Sequence, residues 1–97
     1  MSVVLERAEI IIKDGMMDAF LEVFCKEALP LTSTFTGIIS FKAMRGVEEP
    51  NSVMFLAEWP SIEVHLESRV EPAHARFREL VVPFVDHAKV TTHYQAV

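Results

Sequence analysis

The period of the hydrophobic pattern switches between two and about 3.6 along the chain, and this switching narrows the folds open to it. Residues 3–12 (VVLERAEIII) are rich in β-branched side chains, and Val4, Ala8, Ile10 and Ile12 alternate against Arg7 and Glu9; a strand is expected. Asp14-Gly15 punctuates it, with Asp14 as the expected cap of the next element. From Met16 to about Leu29, the apolar residues Met17, Phe20, Leu21, Phe24 and Ala28 recur at helical spacing, with Asp18, Glu22 and Lys26 opposite. Pro30 and the Thr-Ser-Thr run after it are expected to end this helix. Gly37 opens a second strand in which Ile39, Phe41 and Ala43 face away from Ser40 and Lys42. A turn-rich Gly46–Asn51 segment leads into a third, Ser52–Trp59. So short a loop implies an antiparallel hairpin. Ser61 reads as the N-cap of a short helix carrying Ile62, His65, Leu66 and Arg69 on one face. After Glu71-Pro72 a longer helix sets Ala73, Phe77, Leu80, Val81 and Phe84 at core spacing, with Pro83 bending or ending it. Lys89–Ala96, with Val90, Thr92 and Tyr94 alternating, closes the chain as a last strand.

The order is therefore β-α-β-β-α-β with the second helical region in two pieces. That is an α+β, ferredoxin-like arrangement: a four-stranded antiparallel sheet with its helices on one face, built from residues 1–97 as a single domain. A chain of 97 residues buries only about 60–68% of its unfolded surface, yet 51% of these residues are apolar and seven are Phe. The uncovered sheet face is the expected outlet for that excess, through face-to-face pairing with a second copy as a homodimer.

Charge and cysteine content remove several classes of function. The net charge is −5, with five basic and eight acidic residues before position 51 and four and six after it. An evenly acidic chain repels phosphate backbones, so nucleic acid is a poor partner. No apolar run approaches the roughly 20 residues that span a bilayer, and the N-terminus has no signal-peptide layout, so no membrane association is expected. The single cysteine, Cys25, fits a reducing cytoplasm; it lies mid-helix, where nothing activates a thiolate. His65, His74, His87 and His93 lack metal-ligand spacing, and no glycine-rich phosphate loop or dinucleotide fingerprint is present. No metal or other cofactor is expected.

From Glu6 to Gln95 the sequence resembles the antibiotic biosynthesis monooxygenase family of dimeric α/β barrels. The likeness is carried by Asp14-Gly15, Gly37, Glu58-Trp59-Pro60-Ser61, His65 and Pro72-Ala73-His74, in that order. Phe35-Thr36 departs from the acidic residue and proline that the family often places before the second-strand glycine, and the stretch from His65 to His74 is longer than in compact quinol-oxidising members. The resemblance implies oxygenation of a phenol, quinol or polyketide-like molecule by O2 without flavin, haem or metal. One family branch degrades haem with a first-strand asparagine, a tryptophan and a histidine; Trp59 and His74 fall at the last two places, but Ala8 stands at the first. A polyketide-oxygenating branch has an asparagine where this chain has Phe55.

Chemistry without a cofactor needs a base, an apolar chamber and a donor for the peroxide that forms. His74 at the start of the last helix is the expected base, kept neutral by the helix dipole; the alternative is a histidine on the solvent face. Trp59 is expected as an aromatic wall for a flat substrate, or else as a core tryptophan bonded through its indole N–H. Phe41, Phe55, Phe77 and His65 are expected to line the same chamber, against ordinary core roles for each, and Tyr94 to donate a proton to bound oxygen, or else to sit at a sheet edge. Glu58 points away from Trp59 and reads as a solvated or cross-strand charge rather than a catalyst. A non-enzymatic dimeric module that binds a hydrophobic small molecule is the competing reading, with a haem-degrading oxygenase third.

Overall fold

The computed structural model describes residues 3–97. Strands β1 (Val4–Ile12), β2 (Ser40–Arg45), β3 (Ser52–Trp59), β4 (Val85–Ala88) and β5 (Thr92–Gln95) form one antiparallel sheet. Helices α1 (Met17–Val23), α2 (Leu29–Thr32), α3 (Ile62–Ser68) and α4 (Pro72–Val81) accompany it. The strand order is β2-β3-β1-β4, with β5 pairing the same central strand β1 further along. The ferredoxin-like α+β expectation holds, with the second helical region divided as α3 and α4.

The expected last strand is shorter and is preceded by another. Lys89–Ala96 is expected as one strand, whereas β5 covers only Thr92–Gln95, β4 lies wholly before Lys89, and the residues between leave the sheet. The register shows why: β4 pairs Ile10–Ile12 with a shift at Ile11, β5 pairs Val4–Arg7, and the connection carries Val90 out into solvent. The sheet is thus four strands wide but built from five segments.

Pro30 does not end the first helical region. The helix widens into a π-helical stretch at Phe24–Ala28, where the Leu29 N–H bonds the Phe24 carbonyl, and then runs on as α2 with Pro30 in its first turn. A widened turn lets a helix pass a residue that has no N–H to give. The expected Thr-Ser-Thr stop is real: the hydroxyls of Thr32, Ser33 and Thr34 donate to the carbonyls of Leu29, Pro30 and Leu31 at 2.7, 3.1 and 2.6 Å. Asp14 does not cap α1; its Oδ1 accepts from Asn51 Nδ2 at 2.6 Å and ties two loops together. Ser61 does cap α3, accepting from the Val64 N–H at 3.1 Å.

The inward strand face carries Ile10, Ile12, Val53, Phe55, Ala57 and Trp59, closed over by Phe20, Phe24, Phe77 and Val81 from the helices. Phe24 is the hub, with ring centroids 5.3 Å from Phe20, 5.5 Å from Phe55 and 6.1 Å from Phe77. All seven phenylalanines belong to this cluster or pack against it. The hydrophobic excess is therefore absorbed largely inside the chain. The outer sheet face, expected to be bare and apolar, is mixed: Leu5, Ile11, Met44, Met54, Leu56 and Tyr94 alternate with Arg7, Glu9, Lys42 and Glu58. Glu9 there accepts from Ser52 Oγ at 2.7 Å and lies 3.4 Å from Lys89 and 3.6 Å from Arg7.

Candidate active site

Between the helices and the inward sheet face lies a cavity of about 250 Å³, small for a ligand site. Phe41, Phe55 and Phe77 form its apolar walls, joined by Phe35, Ala8 and Ile10. The expected chamber exists, and Trp59, His65 and His74 border it together with Glu6, Arg69 and Arg78. Tyr94 does not. It pairs with Leu5 on the outer face and is half exposed, because strand alternation turns position 94 away and position 93 inward. The expectation that Tyr94 donates to bound oxygen in this chamber is corrected accordingly.

His74 stands in the first turn of α4, half-buried, with its ring 4.8 Å from that of Phe35. Its Nδ1 lies 2.5 Å from Arg78 Nη1, one helical turn on. A guanidinium only donates, so Nδ1 accepts and the proton of the neutral ring sits on Nε2. Burial, then the charges of Arg78 and Arg69, hold the imidazole pKa down at about 4. Burial and the two arginines thus keep the ring neutral at pH 7.

A second group of polar side chains meets at the other end of the cavity. Trp59, only 1% exposed, donates its indole N–H to Glu6 Oε1 at 2.9 Å. Its ring is stacked on His65 with centroids 4.9 Å apart, so one face of the tryptophan is covered by the imidazole. His65, 2% exposed, sets Nε2 3.2 Å from the same Glu6 oxygen and Nδ1 2.8 Å from His93 Nε2. Burial, with the charges of His93, Arg69 and His74, lowers its pKa to about 4. At neutral pH the Glu6 contact is therefore not an ion pair, and the hydrogen bond that His65 makes through its ring is the one shared with His93. Glu6 is held above the ordinary carboxyl range by burial, opposed by the Trp59 N–H and by His93 and Arg69.

Glu6, His93, Arg69, Arg78 and Phe35 were not among the residues expected from sequence. One signal pointed to Glu6: on a strand whose inward series is Val4, Glu6, Ala8, Ile10, a charged residue at the buried phase requires a partner. His93 had the same signal, facing Glu6 across the β1–β5 ladder. Glu58, expected as a solvated or cross-strand charge, is the latter: it accepts from Ser40 Oγ at 2.6 Å across the β2–β3 pair. Among the described residues no group of three His, Cys, Asp or Glu side chains converges as a metal cage, and no helix is long and apolar enough to cross a membrane.

Known proteins share this architecture. The chain is 28% identical over 93 residues to the uncharacterized protein YczJ of Bacillus subtilis (strain 168), covering 95% of this chain and 97% of that one. A solved structure from Bordetella bronchiseptica, named as a candidate antibiotic biosynthesis monooxygenase, superposes with a TM-score of 0.88 at 22% identity, over 100% of this chain and 99% of that one. One from Caulobacter crescentus CB15, named likewise, gives 0.81 at 16% identity over 99% and 91%. At such identities the solved structures establish the fold alone. The sequence itself goes further, because the model of one family, described as antibiotic biosynthesis monooxygenase, matches residues 3–80, most of the chain. With that match spanning both β1 and the helix that carries His74, the chain belongs to the antibiotic biosynthesis monooxygenase family.

Proposed function

We propose that the protein is a cofactor-independent monooxygenase that oxidises an aromatic, quinol-like or polyketide-like molecule with O2. The observation that carries this reading is a neutral imidazole and two guanidiniums set on a small phenylalanine-lined cavity. Phe41, Phe55 and Phe77 hold a flat aromatic ring by apolar contact, and Arg69 and Arg78 favour its ionised oxygen. The electron-rich anion then reduces dioxygen directly. For an anthrone a ring CH2 becomes a carbonyl, and for a hydroquinone a ring C–H becomes C–OH as the ring is oxidised to the quinone; in both, one atom of O2 enters the product and the other leaves as water with two hydrogens of the substrate.

His74 has a different part in this reaction from the one first expected. With a pKa of about 4 it is a poor base for a phenol, and its accepting nitrogen is already engaged by Arg78. What remains is the Nε2–H, a donor for the peroxide or the developing oxyanion. Trp59 acts by fixing Glu6 and closing the chamber.

Oxygen uptake with a series of hydroquinones and anthrones tests the reading. Turnover is expected with at least one of them, and His74→Ala is expected to reduce it by about 10²-fold, the usual size of a lost oxyanion donor. Binding of these compounds without oxygen uptake would instead establish the hydrophobic binding module, and a haemin titration run in parallel tests the haem-degrading alternative. A homodimer paired through the outer sheet face completes the proposal. Leu5, Ile11, Met44, Met54, Leu56 and Tyr94 supply the apolar part and the charges between them the register, in a reducing cytoplasm that suits the exposed Cys25.

A further inference from the structure

Two groups at the cavity have no part in the reaction as described, Glu6 and the His65–His93 pair behind it. Glu6 is a carboxylate on an otherwise apolar strand face, and its described hydrogen bond falls on one oxygen, Oε1, from Trp59 Nε1 at 2.9 Å, with His65 Nε2 3.2 Å from that same oxygen. Among the described residues, no side chain bonds Oε2, while Glu6 itself lines the cavity and its side chain is 15% exposed. A carboxylate anchored through one oxygen and open at the other is built to receive a proton at the open one. We infer that Glu6 is the catalytic proton acceptor of this cavity, taking the hydroxyl proton of a bound phenol or quinol on Oε2.

In that step the substrate O–H bond breaks, its electron pair stays on the substrate oxygen, and the proton forms a new O–H bond at Oε2. No oxidant is consumed. The charged and titratable groups facing Glu6 are His65 and Arg69 from the α3 end, His93 from β5 and His74 from α4. His65 and His93 act as positioning residues. The hydrogen bond between His93 Nε2 and His65 Nδ1 fixes the His65 ring beside Oε1, so Oε2 keeps its aim. Burial raises the carboxyl pKa and so brings its basicity closer to the phenol it serves. The assignment rests on the proposed reading only in taking a phenolic hydroxyl as the group bound.

The test measures protons rather than turnover. 4-Nitrophenol is titrated into the native protein and into Glu6→Gln by calorimetry in buffers of different ionisation enthalpy, at a pH where the free phenol is ionised. Native protein is expected to take up close to one proton per phenol bound, shared between Oε2 and the phenolate, and Glu6→Gln to take up none. Glu6→Met, which fills the space without an acceptor, is expected to match Glu6→Gln, and circular dichroism confirms that each variant is folded. Oxygen uptake with an active quinol is expected to fall about 10²–10⁴-fold in Glu6→Gln. It should recover towards native when the quinol carries an electron-withdrawing group that leaves it ionised before binding. Binding with no proton uptake by native protein, or with equal uptake by Glu6→Gln, overturns the assignment and leaves the monooxygenase reading standing. Glu6-dependent uptake without turnover of any quinol refutes that reading and keeps the assignment. No binding by either protein overturns both.

Discussion

Acid should weaken this fold through His65. Its folded pKa of about 4 lies below the unfolded value of 6.5, so between those two pH values the unfolded chain binds a proton that the folded chain refuses. The stability His65 contributes is complete above 6.5 and is lost as pH falls toward 4. At pH 5, about 1.5 pH units into that window, the loss is about 2 kcal/mol at 1.36 kcal/mol per pH unit. In a domain of this size that corresponds to a fall in Tm of roughly 8–16 °C. His74 acts with the same sign, less strongly because it is half-buried and solvent screens it. Glu6 acts with the opposite sign, since its raised pKa makes the fold bind a proton before the unfolded chain does as pH drops. The assay is thermal unfolding at fixed protein concentration between pH 7 and pH 5 for native protein and His65→Gln. The glutamine is expected to lower Tm at pH 7, through lost packing on Trp59, but to flatten the pH dependence by most of the His65 share. A His65→Gln variant that loses stability with acid as steeply as native protein would refute the reasoning.

Other perturbations have equally definite outcomes. Phe24→Ala removes the ring that meets Phe20, Phe55 and Phe77, and is expected to destabilise by about 3–5 kcal/mol, read as a lowered urea midpoint at unchanged slope. Gly37→Ala is expected to destabilise by about 1–3 kcal/mol in the same assay, because φ is 85° there and the added Cβ would collide with Val64 Cγ1. Tyr94→Glu is expected to leave quinol turnover unchanged while weakening self-association, measured by light scattering over a dilution series, since Tyr94 lies on the sheet face opposite the cavity.

Strand alternation on β3 and helical spacing on α4 were legible because each depends on neighbours in sequence. Both placed their phenylalanines correctly on the chamber wall. Ser61 was legible for the same reason, as a cap closes over three residues. The course of the chain past Pro30 was not. Whether a helix stops at proline or widens around it depends on what the following turn can bury, and here Ala28 and Thr32 are both buried. Strand β4 was hidden too, because Val85–Ala88 is a short segment ahead of the Lys89–Ala96 alternation, and only pairing with β1 makes it a strand.

Local pattern by itself determined the β-α-β-β-α-β succession, the helix-bearing face of the sheet and the apolar lining of the cavity. These follow from side-chain period and composition, which act over a few residues at a time. The polar half of the site was decided by tertiary contact alone. Glu6, Trp59, His65 and His93 come from β1, β3, α3 and β5 and become one group of touching polar side chains only when β1 is flanked by β3 and β5 with α3 laid over them. Burial then sets their protonation, and burial is a property of the assembled fold that no single segment carries.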